Sequence, residues 1–394
     1  MLHPRPPALL VLAATVVAIT AALLGALACS TGAPTDPAGV ATAGNAAAKN
    51  EYHRLEQQAL TEIRAWGASS DKLPDPRPGW AEKLEAFARE YPKAPEASAA
   101  LLGVLQLREA ALDIDGFFKA YDLLLATSPD ASGVSAVFDQ ITTLRVIEAG
   151  GPGIFATGGE MERREAYKAA APRIAADIEK TIAVATSPAV LANAHFAVAE
   201  TWYLLDVDLD RALEHYKTVA TQFGDSPWAE QAARRGAEIE RLGIGRAAPD
   251  FSGVAIDGRK IRLSSLKGKL VLIDFWATWC GPCVKELPSL KRVYQRFKDQ
   301  GFTIIGVSLE SDPELVARFA ERNGMTWPII VDGADGGMAT GPLATSYDVE
   351  AIPMSYLVDR SGTIRARRLL GDDVERAVEK LMGSRVAAVK SLPE

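Results

Sequence analysis

Two patterns of apolar and polar positions divide the chain. Between about residues 51 and 245, apolar residues recur at three-and-four spacing, which is typical of amphipathic helices. From about residue 246 to 385, short apolar runs alternate with helical segments, as in an α/β layer fold. The expected strands are KLVLIDFWA, GFTIIGVSL, WPIIVD and MSYLVD, and the expected helices are CVKELPSLKRVYQRFKDQ, DPELVARFAERNG and DDVERAVEKLMG. The sequence therefore predicts an all-α domain, then an α/β domain with a central sheet, and a C-terminal tail over residues 386–394.

Two segments of the helical half resemble each other. YPKAPEASAA, residues 91–100, and FGDSPWAEQAA, residues 223–233, each close one helix with an aromatic residue, turn, and open an Ala-rich helix. This joint resembles that of tetratricopeptide-like repeats, in which small residues let paired helices approach closely. An irregular helical bundle fits equally well, because the period is not regular. Since helical repeats form extended concave surfaces, we expect this half to dock a partner, with dimerisation or a spacer role as alternatives.

The first 28 residues have the features of a signal peptide. A weakly positive start with Arg5 precedes an apolar run over residues 8–28, and the small residues of ALAC, residues 26–29, satisfy an A-x-A cleavage pattern. Cys29, directly after them, resembles the lipidated cysteine of bacterial lipoproteins. Cleavage without lipidation and an uncleaved anchor stay open, since the run is just long enough to span a bilayer. All three place the rest of the chain outside the cytoplasm, on the periplasmic face.

Composition indicates a linker after the predicted signal peptide and limits the kinds of partner that we expect the protein to bind. The stretch from residue 29 to 50 is rich in Ala, Gly, Thr and Pro, and we expect it to be a flexible tether between the membrane and the first folded domain. The net charge is -7, and no basic stripe interrupts it. Because phosphate binding depends on clustered Lys and Arg, nucleic acid is not an expected partner.

The candidate chemistry lies in DFWATWCGPC, which holds two of the three cysteines, Cys280 and Cys283. A buried strand runs into the start of this stretch, and an amphipathic helix begins at or just after Cys280. The free N–H groups and the positive end of the helix dipole would stabilise a thiolate at Cys280. Two intervening residues let Cys283 face Cys280 and close a disulfide.

A metal site at these cysteines is not expected, and neither is a core pair. A structural zinc needs four ligands, and no further Cys or His is present in the α/β half. Trp279, Gly281 and Pro282 around the pair are poor core material for a helix. We therefore interpret the two cysteines as a redox dithiol that uses no metal or cofactor.

The stretch DFWATWCGPC resembles the active site of the thioredoxin superfamily. The wider sequence from APDFSGVAIDG to IPMSYLVDRSGTI resembles the TlpA/ResA-like branch of this superfamily. The members of that branch are membrane-tethered extracytoplasmic thiol–disulfide oxidoreductases. The resemblance implies a thioredoxin-like domain over residues 246–385. It also implies that Cys280 is the attacking thiolate and Cys283 the resolving cysteine. Pro353 matches the family's cis-proline, and Ile352 before it would offer backbone groups to a bound substrate chain. A trans turn proline is the alternative.

Asp274 is a carboxylate inside the apolar run VLIDFW. Such a group is costly in a buried strand unless it is neutral, hydrated or useful. Thioredoxin has an Asp at the matching place that accepts the proton of the resolving thiol. We therefore expect Asp274 to act as a general base towards Cys283, directly or through water. The alternative is an Asp on a half-exposed strand end, and no Lys in GFTIIGVSLE is an evident partner for it.

These features predict an enzyme that reduces disulfides of exported proteins through its Cys-Gly-Pro-Cys dithiol. Its partners would be those substrates and a membrane electron donor, because glutathione and thioredoxin reductase act in the cytoplasm. A peroxidase would need an isolated cysteine in a Thr/Pro-lined pocket, which ATWCGPC does not offer. A helical-repeat scaffold with an accessory redox domain remains an alternative, as does a net oxidant or isomerase.

Overall fold

The computed structural model describes residues 43–69, 74–333 and 341–390. These residues form two compact units. The first comprises residues 43–207 with Glu214–Ala232, and the second comprises Asp208–Leu213 with the described residues from Ala233 onward. The predicted signal peptide, Cys29 and the first part of the predicted tether lie outside the described residues.

In the described part of the chain, nine α-helices precede the first strand. Their bounds are α1 Ala43–Ala68, α2 Arg77–Glu90, α3 Pro95–Ala110, α4 Ile114–Thr127, α5 Val137–Gly150, α6 Glu160–Val184, α7 Pro188–Tyr203, α8 Leu209–Gln222 and α9 Ala229–Leu242. The first of them begins inside the stretch expected to be a flexible tether. Its run AGNAAAKN is rich in Ala, the strongest helix former, and Ala48 is buried. Residues 43–50 of that stretch are therefore helical, which the composition did not predict.

Neighbouring helices pack on each other within the first unit: α2 on α3, α3 on α4, α5 on α6, and α6 on α7. Both predicted joints are present, since α3 opens at Pro95 after Tyr91 and α9 opens at Ala229 after Phe223. Pro is favoured in the first turn of a helix because its missing N–H has no partner there. Large side chains such as Trp80, Phe117 and Tyr121 fill the core.

The second unit contains a five-stranded sheet with β3 at its centre. The strand order is β5-β4-β3-β6-β7; β3, β4 and β5 are mutually parallel, and β6 and β7 are antiparallel to their neighbours. The bounds are β3 Leu270–Trp276, β4 Phe302–Ser308, β5 Ile329–Val331, β6 Met354–Val358 and β7 Ile364–Arg367, preceded by a hairpin of β1 Ser252–Val254 and β2 Lys260–Arg262. All four expected strands are confirmed, whereas β1, β2 and β7, with the sequences SGV, KIR and IRAR, contain no apolar run that would predict them.

The helices of the second unit follow the expected pattern with two differences. They are α10 Gly281–Phe297, α11 Pro313–Asn323, α12 Pro342–Ser346 and α13 Asp372–Lys390. The short α12 carries too few residues for a helical period. In addition, α13 continues into the predicted tail, because VAAVK contains no helix breaker and the next proline is Pro393.

Alternate residues of β3 serve two different cores, as the pleat of a strand requires. Leu270, Leu272 and Trp276 pack with the buried face of α10. Val271, Ile273 and Phe275 face the opposite core, which includes Leu242 at the end of α9. The alternation assigns Asp274 to the face that α10 covers.

Candidate active site

The end of β3 delivers two cysteines to the start of α10. Four residues after Trp276, Cys280 takes the N-cap position, and its Sγ accepts a hydrogen bond from the backbone N of Cys283 at 3.2 Å. The two cysteines form a disulfide with their Cα atoms 5.3 Å apart. The helix N-terminus is thus directed at the sulfur of Cys280, where it favours a thiolate once the bond is reduced.

Exposure alone does not distinguish the two cysteines, because Cys280 is 5% exposed and Cys283 is 4% exposed. Their surroundings differ. Trp279 next to Cys280 is 56% exposed, and Gly281 and Pro282 on its other side are exposed as well. Both cysteines contact the core, but Cys283 lies inside α10, whereas Cys280 is its N-cap residue between these exposed neighbours. A polypeptide arriving at this surface would contact the Cys280 side of the disulfide first.

The loop between β3 and Cys280 is held by Glu310, which follows β4. Its carboxylate accepts hydrogen bonds from the backbone N and Oγ1 of Thr278, at 2.7 Å and 2.5 Å, and from the hydroxyl of Ser308. Glu310 is itself buried. The sequence contained a signal for it, a lone carboxylate closing the apolar run GFTIIGVSLE, which our sequence reading did not use.

The Ile352–Pro353 peptide bond is cis. The next residue, Met354, opens β6 and pairs with Phe275, while Ser355 pairs with Asp274. Because β6 runs antiparallel to β3, Pro353 lies beside the end of β3 that leads to Cys280. Ile352 and Pro353 are partly exposed there.

Asp274 is 8% exposed and its carboxyl group makes no hydrogen bond to any residue that the structure describes. Burial away from water, with a smaller contribution from the nearby negative charge of Glu286, raises the pKa of Asp274 to about 7. The alternative of a half-exposed strand end therefore does not fit. A carboxyl group with this pKa can take up or release a proton near neutral pH.

The charged neighbour of Asp274 is Glu286, a carboxylate rather than a lysine. It lies one helical turn after Cys283 on α10, and its Oε2 accepts a hydrogen bond from the backbone N of Gly371. The hydroxyl of Ser289 donates to the carbonyl of the same Gly371 at 3.0 Å. Glu286 is three residues after Cys283, so the sequence alone places both on one face of α10. That Glu286 also lies near Asp274 depends on the packing of α10 on β3, which the sequence does not show.

The structure brings nearly all the predicted site residues together at one edge of the sheet. They are Cys280 and Cys283, the flanking Trp279, Gly281 and Pro282, the adjoining Ile352 and Pro353, and Asp274 on the β3 face that α10 covers. Cys29 lies outside the described residues. Within those residues no cluster of three or more His, Cys, Asp or Glu is arranged to hold a metal ion. None of the described helices is long and apolar enough to cross a membrane.

Comparison with known proteins identifies relatives of the second unit. Residues 244–367 match the AhpC/TSA family. The thiol-disulfide oxidoreductase ResA of Geobacillus kaustophilus (strain HTA426) is 34% identical over 147 residues, which cover 36% of this chain and 81% of ResA. ResA of Bacillus thuringiensis (strain Al Hakam) is 32% identical over 143 residues, covering 36% and 79%.

Among solved structures, the thioredoxin domain of a thiol-disulfide oxidoreductase from Bacteroides vulgatus is 37% identical. It covers 36% of this chain and 99% of that one, with a TM-score of 0.33. The ResA relatives carry the assignment, because their identity to this chain extends over most of their own length. The chain therefore belongs to the family of the thiol–disulfide oxidoreductase ResA and is an oxidoreductase enzyme with a thioredoxin-like domain.

Proposed function

We propose that this protein reduces disulfides of exported proteins outside the cytoplasm, with Cys280 and Cys283 as its catalytic pair. The observation that carries the proposal is the Cys280–Cys283 disulfide at the N-terminus of α10, next to a cis-proline. Such a dithiol exchanges two electrons with another disulfide and needs no metal or cofactor.

The exchange proceeds in two steps. The Cys280 thiolate attacks one sulfur of the substrate disulfide, so that a mixed disulfide forms and one substrate thiolate leaves. Cys283 then attacks the Cys280 sulfur and releases the second substrate thiolate, which leaves the enzyme in its disulfide form. The substrate has gained two electrons, and a membrane dithiol donor would return two electrons to the enzyme for the next cycle.

Asp274 serves as the proton acceptor for Cys283 in the second step. The Cys283 thiol must lose its proton before it can attack, because the thiolate is the nucleophile. A buried carboxyl group with a pKa of about 7 is suited to accept that proton at neutral pH. The charge of Glu286 contributes by raising the pKa of Asp274 and so making it a stronger base.

The substrate chain would bind across the exposed surface beside Cys280. Trp279 offers an exposed aromatic face, and Gly281 and Pro282 leave the sulfur uncovered by large side chains. Ile352 would pair its backbone groups with the substrate chain, held in place by the cis bond to Pro353. Backbone pairing of this kind accepts many sequences, which suits a reductase of several exported proteins.

A tether to the membrane would keep the enzyme near its electron donor. Support comes from the signal-peptide pattern over residues 1–28 and from ALAC, which ends in Cys29. Lipidation of Cys29 after cleavage would anchor the chain at the periplasmic face of the membrane.

The roles of the two cysteines predict different behaviour of their serine variants. Cys283→Ser should accumulate a covalent complex with an oxidised polypeptide, because nothing resolves the mixed disulfide on Cys280. Cys280→Ser should form no such complex, since it lacks the attacking thiolate. Non-reducing gel electrophoresis after incubation with oxidised insulin measures the complex. Disulfide reduction by Cys280→Ser at the wild-type rate would contradict the proposal.

Replacing Asp274 with Asn should slow the resolution of the mixed disulfide about 100-fold, which is the usual contribution of a positioned general base. In the wild type this rate should rise with pH through about 7, the pKa of Asp274, and the Asn variant should lose that rise. Stopped-flow measurement of the second substrate thiol as it is released, from pH 5 to pH 9, tests this. An unchanged pH profile in the variant would exclude Asp274 as the base.

Stability supplies the control for the Asn variant. Because folding raises the pKa of Asp274, the folded protein holds a proton that the unfolded chain releases, and stability falls as pH rises from about 4 to about 7. Asp274→Asn removes this loss, which is at most about 4 kcal/mol. The variant should match the wild type near pH 4 and be more stable at pH 8. A slower reaction in a protein that is more stable cannot be attributed to misfolding.

Lipidation predicts that the wild-type chain incorporates labelled fatty acid in bacteria and fractionates with membranes. Cys29→Ser should lose the label, while its Cys280–Cys283 chemistry stays unchanged because the disulfide joins only Cys280 and Cys283. Label retained by Cys29→Ser, or absent from the wild type, would contradict lipidation at this residue.

A further inference from the structure

Residues 233–242, at the C-terminal end of α9, extend the thioredoxin-like domain beyond the residues that the family match covers. Residues 233–242 of this helix belong to the second unit, yet they precede residue 244, where the family match begins. Arg234, Glu238 and Arg241 follow one another at spacings of four and three, so they share one face of the helix. The contacts of this face indicate what the added helix does.

The helix is anchored through buried groups. Glu238 is 6% exposed and its Oε1 lies 3.0 Å from Nη2 of Arg367, a β7 residue whose side chain is 0% exposed. The other terminal nitrogen of this guanidinium group, Nη1, donates to the carbonyl of Leu242 at 3.4 Å. Leu242 is fully buried in the sheet core. Because a buried ion pair tolerates little change in geometry, these contacts fix the helix against β7.

The arginines of the same helix reach the segment Ser346–Glu350, here named the pre-proline segment. Arg241 donates to the carbonyl of Ser346 at 2.5 Å and forms an ion pair with Asp348. Arg234 forms an ion pair with Glu350, and Arg235 lies 3.4 Å from the other Glu350 oxygen. Arg235 also pairs with the buried Glu238 at 3.2 Å, which connects this contact to the anchored side of the helix.

The pre-proline segment is followed directly by the cis-proline loop. Ala351, Ile352 and Pro353 are the three residues between Glu350 and Met354, the first residue of β6. Asp348 adopts a left-handed backbone with φ of 47°, a conformation that Asp tolerates better than most residues. The path of the chain into the loop is therefore set by residues that the arginines bind.

We propose that Arg234 and Arg241 are positioning residues that hold the cis-proline loop in the shape that binds a polypeptide substrate. The proposal rests on the proposed function, in which Ile352 pairs with the substrate chain. A loop that is already ordered loses less conformational freedom on binding, so its affinity for the chain is higher. The dithiol itself does not depend on these contacts, and a small disulfide that bypasses the loop should react equally well.

The test uses the full-length chain, pre-reduced and mixed with an excess of oxidised insulin or of the small disulfide dithiobis(nitrobenzoate) in single turnovers. The variant combines Arg234→Ala and Arg241→Ala, which leaves the Arg235–Glu238–Arg367 anchor in place. Because exposed ion pairs are individually weak, we expect an increase of about fivefold in the half-saturating insulin concentration. The maximal rate, the rate with the small disulfide and the reduction potential should stay as in the wild type.

Two further variants separate positioning from general effects. The double variant Arg296→Ala, Arg318→Ala removes two exposed arginines elsewhere in the same unit. Arg296 forms ion pairs with Glu375 and Glu379, and Arg318 forms one with Glu314. This matched control should leave insulin binding unchanged. Replacing Arg234 and Arg241 with Lys keeps the charges, and it should restore most of the lost affinity.

Each outcome decides the proposal. Unchanged insulin saturation in the double Ala variant overturns it, and so does an equal loss with both disulfides or a shifted reduction potential, since either would indicate a general structural role. If the wild type reduces neither disulfide, the proposed function fails. Hydrogen exchange at the amides of Ala351 and Ile352 then decides separately: faster exchange in the Ala variant supports loop positioning, and unchanged exchange refutes it.

Discussion

The carboxyl group buried in the central strand is the constraint on which the active site depends. Asp274 interrupts a strand that is otherwise apolar on both faces, and no described residue hydrogen-bonds its carboxyl group. Burial of an ionised carboxylate is costly, so the group holds its proton up to about neutral pH. The same strand delivers Cys280 to the N-terminus of α10, which favours loss of a proton from a thiol. One strand thus carries a carboxyl group whose pKa is about 7 and leads to a cysteine whose thiolate the helix N-terminus favours.

Around this strand, other elements restrict the position of the reacting sulfur. Glu310 binds the loop that leads to Cys280, and Glu286 connects α10 to the turn at Gly371. On the opposite side, β6 brings the cis-proline loop beside the end of β3. The added helix α9 then fixes the chain that enters this loop. The proposed catalytic pair lies within four consecutive residues, but its surroundings depend on contacts that span most of the second unit.

The sequence predicts those parts of this arrangement that depend on local pattern. The strands β3 to β6, the start of α10 directly after Cys280 and the grouping of Trp279, Gly281 and Pro282 follow from periodicity and spacing. Glu286, Glu310 and the arginines of α9 were missed because their roles depend on partners that are distant in sequence. Arg241, for example, binds Asp348, and an exposed arginine carries no pattern that identifies its partner. The helical period also continues unchanged through α9, so it gave no sign that residues 233–242 join the second unit.

The central claim is that the Cys280–Cys283 pair acts as a reductant, and its reduction potential tests this most directly. The full-length chain would be equilibrated with dithiothreitol or glutathione redox buffers and the fraction of disulfide measured. The Gly-Pro pair between the cysteines and the proposed base Asp274 predict a value near that of thioredoxin, about −270 mV. A value of about −150 mV or higher, towards the roughly −120 mV of a strong oxidant such as DsbA, would contradict the account and indicate an oxidase or isomerase.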